Sequence, residues 1–206
     1  MICYTAGVLI ELGIVGSGRR RIFELGVQYY VAARSAATSR LLPVCGNLFH
    51  HSLEMLLKAG LSRRLSLRDL QNRFGHRLTD IWAAFKAQFA SACELDQYDG
   101  TIAKLHEFED IRYPDKVLTL GAQMLVDWGA TSSVALAIGA APPLYQLNVH
   151  DLDRLVAKIF EVSSRNPLFF TSYLAALLHA REILTHDNPA AAQLLPPSSE
   201  GPEGTM

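Results

Sequence analysis

Cysteine is scarce: Cys3, Cys45 and Cys93 are the only three in 206 residues, and none forms a CxxC pair. Neither a disulfide framework nor a cysteine zinc site is expected from an odd, widely spaced set, and the expected setting is a reducing cytosol. Charge is sparse too. Only 19% of residues are charged against 50% hydrophobic, a balance that sets the chain apart from disordered polar sequences and predicts that most of it folds. No P-loop, dinucleotide fingerprint, nucleophile elbow or internal repeat occurs. Met1 to Gly18 is apolar, but Glu11 interrupts it and Arg19, Arg20 and Arg21 follow rather than precede it. It is too short and too broken by glycine to span a membrane, and its charge order is wrong for a signal peptide. Residues 1–21 are read as an N-terminal extension, either an added element or a start-site artefact, with the functional domain beginning near Ile22. No membrane association and no cofactor are expected.

What the sequence does hold is a set of helical patterns around one apolar helix. Leu42 to Leu61 begins with Pro43, suited to a first helical turn, and closes near Gly60. Asn47, His51, Glu54 and Lys58 share one narrow face of it, and His50 lies beside them. The remaining positions are apolar or small, which predicts burial on most sides. Ahead of it, Ile22 to Ser39 reads as a helix whose only charges are Glu24 and Arg34. Behind it, Ser66 and Asp69 resemble a capping box for a short helix ending at Gly75. His76–Ala90 and Thr101–Arg112 are amphipathic, the latter with Ile102, Leu105, Phe108 and Ile111 as its buried row.

Residues 117–149 change character, with short apolar runs broken by Gly121, Gly129 and Gly139, and predict two or three short strands. Asn148 is placed to cap a helix over Val149–Val162, and Asn166-Pro167 to start another reaching about Thr185. From Asn188 onward the proline-rich segment reads as a disordered tail. The fold class is therefore mainly α, an up-and-down helical bundle with a small irregular or β-containing insert at about 117–147.

The net charge of −1 conceals an asymmetry. Residues 1–77 carry eleven Lys/Arg against four Asp/Glu, whereas residues 78–206 carry eight against sixteen. Opposed halves suit either a basic surface for a polyanion or one half packing against the other. Arg63 and Arg64, with Arg68, Arg73 and Arg77, form the best nucleic-acid patch in the chain; a solvated basic face is the plainer alternative. The stripe on the central helix likewise has two readings. Glu54 and Lys58 fit an i, i+4 pair with a structural role, or Lys58 and His76 face a phosphate or nucleotide. His51 and Glu54 are spaced H-x-x-E, but Met55 stands where a zinc-peptidase motif needs histidine, and no third ligand is evident. No metal site is assigned.

A Tyr-containing first helix, then Leu48-Phe49-His50-His51-Ser52-Leu53-Glu54-Met55-Leu56-Leu57-Lys58, then Gly75-His76, then Arg112-Tyr113-Pro114-Asp115 occur in that order. Over about residues 22–115 this resembles the HEPN domains, helical bundles associated with nucleotides and RNA. The resemblance implies a HEPN-like domain over 22–187, a homodimer, RNA or nucleotide binding, and a place in a defence or toxin–antitoxin pair with a nucleotidyltransferase partner. Lys58, Arg63, Arg64, His76 and Arg112 are the binding candidates. RNase members use an Arg followed after four to six residues by His. Arg112 departs from that pattern, since Val117, Leu118 and Thr119 occupy the allowed positions, whereas Arg181 and His186 fit it. In such a pair, His186 would move a proton and Arg181 would stabilise phosphate charge. The alternative for the same two residues is a solvated helix end whose charges suit the helix dipole. For the whole chain it is a non-catalytic helical dimerisation module.

Overall fold

The structure, a computed structural model, describes residues 18–89, 94–112, 115, 118, 119, 121–129, 143–164 and 178–195. Helix α1 (Gly18–Thr38) and α2 (Leu42–Leu61) form a tightly packed hairpin. Helix α1 begins four residues earlier than the sequence suggests, so Arg19–Arg21 form its first turn. Its end is closed by Arg40 N–H to Ala37 O at 3.0 Å and Leu41 N–H to Ala36 O at 2.8 Å, with Arg40 at φ 57°. This is the left-handed closure that glycine usually supplies.

Helix α2 is the centre of the molecule. Cys45, Gly46, Phe49, Leu53, Leu56 and Leu57 are all buried, and α1, α4 (Leu78–Gln88), α5 (Asp99–Glu107), the 3-10 turn Phe108–Arg112 and α6 (Val149–Val162) all contact it. Two close approaches fix this packing. The Gly26 carbonyl of α1 accepts the Ser52 hydroxyl of α2 at 2.8 Å. At Gly46 an added Cβ would lie 1.9 Å from the Phe108 ring, so only glycine lets the 3-10 turn rest on α2 there. The expected row Ile102, Leu105, Phe108 and Ile111 is buried against this side.

Short α3 (Leu67–Phe74) carries the anticipated capping box: Ser66 Oγ accepts the Asp69 N–H, and the Asp69 carboxylate accepts the Ser66 N–H. Within the insert, β1 (Gln123–Asp127) and β2 (Leu144–Asn148) pair in parallel, with Gln123 opposite Leu144 and Asp127 opposite Asn148. Tyr145 and Leu147 turn inward, and the Tyr145 ring meets Phe108 edge-on at 5.6 Å. Strand β2 runs directly into α6, capped by the Asn148 side chain as its sequence suggests.

Helix α7 (Leu178–Thr185) is followed by α8 (Ala191–Leu194). The tail expected from Asn188 is thus corrected: the chain stays structured through Leu195. Ala190, Leu194 and Leu195 are buried, and Asn188 Nδ2 donates to Leu184 O at 2.8 Å while its Oδ1 accepts the Ala190 N–H. The start signal at Asn166-Pro167 lies outside the described residues. Among the described residues, no helix is long and apolar enough to cross a membrane.

Candidate functional site

The polar stripe of α2 divides into two groups. The first is centred on Glu54, whose side chain is fully buried. Lys58 Nζ donates to Glu54 Oε1 at 2.6 Å and to the Gly75 carbonyl at 2.6 Å. His76 Nδ1 lies 3.1 Å from both carboxylate oxygens, and His51 Nδ1 lies 3.6 Å from Oε2. Burial by itself would push the Glu54 carboxyl up. Hydrogen bonds from His51, Lys58 and His76, with the Lys58 charge, outweigh it and hold the group at about 2, against an ordinary 4.5. The network fastens the loop after α3 to the central helix. Lys58 therefore points into the protein with its ammonium engaged, while the half-exposed His76 forms the outer edge of the group.

The second group lies toward the start of α2. Gly46 and His50 are one turn apart, and the chain that rests on Gly46 through Phe108 brings His106 and Glu109 over His50. His50 Nε2 is 4.0 Å and His106 Nδ1 is 3.7 Å from Glu109 Oε2. The two imidazoles stack with centroids 6.1 Å apart, and His106 Nδ1 is buried without a hydrogen-bond partner. One donor atom from each of the three residues lies within 4.8 Å of the others; the same holds for His50, His51 and Glu54. Sequence reading joined His51 to Glu54 and found no third ligand. His106 and Glu109 repeat the same H-x-x-E spacing, which was the one signal available.

The basic candidates lie at the corner joining α2, α3 and α4. Arg63, Arg64, Arg68, Arg73 and Arg77 are all exposed. Arg63 Nη2 donates to Ser163 O at the end of α6 at 2.8 Å, and Arg77 pairs with Asp80 at 3.0 Å. Arg112 ends the 3-10 turn, and its side chain lies outside the described residues. Arg181 and His186 are exposed at the end of α7. The His186 carbonyl accepts from Arg34 Nη2, and its ring meets Trp128 edge-on at 6.4 Å.

That contact belongs to a buried ion pair the sequence did not disclose. Arg34 Nη1 donates to Asp153 Oδ2, Tyr30 donates its hydroxyl to Asp153 Oδ1 at 2.5 Å, and all three side chains are sealed from solvent. Arg34 Nε also donates to Ile183 O at 3.1 Å, and the guanidinium sits 5.3 Å from the Trp128 ring centroid. Burial holds the Asp153 carboxyl above its ordinary value, only partly offset by the Arg34 charge and the Arg34 and Tyr30 hydrogen bonds. Cys45, also buried, donates to Leu42 O at 3.1 Å; burial pushes its thiol up to about 11, which disfavours the thiolate. A groove of about 270 Å³ runs beside α5, β2 and the start of α6, edged by Thr101, Lys104, Asn148 and Asp151. It falls just below the roughly 300–1,000 Å³ of pockets that enclose drug-sized ligands.

No protein-family model matches the chain, and neither a curated protein nor a solved structure gives a significant match.

Proposed function

We propose that this chain is a HEPN-like protein that binds RNA or a nucleotide through the basic corner formed by Arg64, Arg68, Arg73 and Arg77. The observation that carries this reading is the exposure of these four side chains on and beside the capped helix α3, with Arg77 also paired to Asp80, while Arg63 and Lys58 are engaged in holding the fold. Guanidinium groups on α3 and the turns that flank it suit phosphate oxygens, which they bind through paired donors without sequence information. Asp69 and Asp80 are the acidic residues within 62–80, and the first is occupied in capping α3. His76, at the edge of the same corner, adds a half-exposed ring whose orientation Glu54 sets. On this reading the chain works in a defence or toxin–antitoxin pair, with a nucleotidyltransferase as partner and a homodimer as the assembly. Arg181 and His186 form the reacting pair if RNA is cleaved.

Fluorescence anisotropy with a single-stranded RNA, repeated over a salt series, tests the surface. Affinity should fall steeply with salt, and Arg64→Glu/Arg68→Glu should weaken binding about tenfold or more and flatten the slope by about one unit per lost phosphate contact. Binding indifferent to both salt and the double substitution would sink the proposal. A cleavage gel comparing the wild type with Arg181→Ala/His186→Ala addresses catalysis separately. The competing reading, a dimerising module without nucleic-acid affinity, draws on the exposed Leu41, Val44 and Leu67 side chains. It predicts no anisotropy change and a dimer in sedimentation.

A further inference from the structure

We infer that His50, His106 and Glu109 form a three-ligand site for a divalent transition-metal ion of the zinc type. The donor set is the first support. Two imidazoles and one carboxylate are the ligands used by zinc sites that leave one coordination position to water. Geometry is the second. With Zn–N and Zn–O bonds of about 2.0–2.2 Å, a tetrahedral ion holds its donors roughly 3.3 Å apart. His50 Nε2 and His106 Nδ1 already stand 4.0 and 3.7 Å from the same Glu109 oxygen, and all three donors fit within 4.8 Å. Because His50 is sealed in the core, closing that gap falls to the His106 and Glu109 side chains, which are about one-third exposed.

Burial is the third support. His50 is 1% exposed, which fixes its ring as the rigid member of the set, and His106 Nδ1 is buried with no hydrogen bond. A metal would satisfy that nitrogen. The partial exposure of His106 and Glu109 gives the ion a way in. The overlapping group of His50, His51 and Glu54 is the weaker alternative, because Lys58 and His76 already occupy the Glu54 carboxylate. A cation there would have to displace the buried ammonium. The site also explains why Gly46 is needed: the Phe108 ring can sit on α2 only at a residue without a side chain, and this contact carries His106 and Glu109 to His50. None of this depends on the nucleic-acid reading.

Chelator-treated full-length protein, titrated with zinc chloride by calorimetry, tests the site. One ion per chain should bind, and cobalt(II) in its place should give the visible absorption of a four- or five-coordinate nitrogen–oxygen site. His106→Ala and Glu109→Gln should each weaken zinc binding about tenfold or more, whereas His51→Ala should leave it unchanged. Circular dichroism of the metal-free variants separates ligand loss from unfolding, and the two partly exposed positions are chosen to keep the fold intact. Absence of stoichiometric binding would overturn the proposal. So would zinc affinity that survives both substitutions, or that disappears in His51→Ala while His106→Ala retains it.

Discussion

Glu54 shows how one side chain can be both a cost and a fastening. Its carboxylate is out of water, and its acidity is rescued by His51, Lys58 and His76. Glu54→Gln removes the charge and leaves the Lys58 ammonium buried beside an amide, which should cost about 3 kcal/mol in urea unfolding. The pH dependence follows from the direction of the shift. A carboxyl held lower in the folded protein gives stability that is complete above its unfolded value near 4.5 and is lost as pH falls toward about 2. The wild type should therefore lose about 3 kcal/mol across that interval, and Glu54→Gln should lack this component. Half of the network was readable beforehand, because Glu54 and Lys58 are one helical turn apart. The inward turn of Lys58 was not. Periodicity shows that Lys58 shares a face with Glu54, but only the position of the Gly75 carbonyl shows that its ammonium turns inward.

At the scale of elements, local signals translated well where a helix end is set by its own residues. Ser66 and Asp69 announced α3, and Asn148 announced α6, since each cap is a hydrogen bond between near neighbours. The turn between α1 and α2 breaks such a rule. Arg40 adopts φ 57° where glycine is favoured, a conformation that costs a residue with a Cβ about 1 kcal/mol. Arg40→Gly should accordingly raise stability by roughly 0.5–1 kcal/mol, less the added freedom of the unfolded chain. A rise in the urea midpoint without a change in slope is the expected result. The parallel pairing of β1 with β2 was not legible, because alternation marks a strand without naming its neighbour. The grouping of His50 with His106 and Glu109 escaped for the same reason: their meeting depends on Phe108 lying across Gly46.

Over the whole molecule, the Arg34–Asp153 pair ties the first helix to the last third of the chain. Tyr30, Trp128, Ile183 and His186 complete its surroundings. Sequence reading noted Arg34 as one of two charges on an apolar helix, but its partner stands 119 residues away and no local pattern points to it. Asp153→Asn leaves the guanidinium without a counter-charge and should cost about 3–5 kcal/mol, seen as a drop of several degrees or more in the thermal midpoint. Exposed Arg154, next in sequence, pairs with Asp151 at the surface, and its substitution by Ala should cost well under 1 kcal/mol.

The reach of Arg34 also bears on how the protein is made. The carbonyls of Ile183, His186 and Asp187 that receive its guanidinium follow it by 149 to 153 residues. At about 5–20 residues per second, a ribosome needs roughly 8–30 s to deliver them after Arg34 has been added. Its counter-charge Asp153 arrives 119 residues after it and these carbonyls later still, so for most of that interval the α1–α2 hairpin carries a charge without its buried partners and the core cannot close vectorially from the first helix onward. Chains arrested before residue 178 should remain protease-sensitive across residues 18–61, and those extended through Leu195 should become resistant.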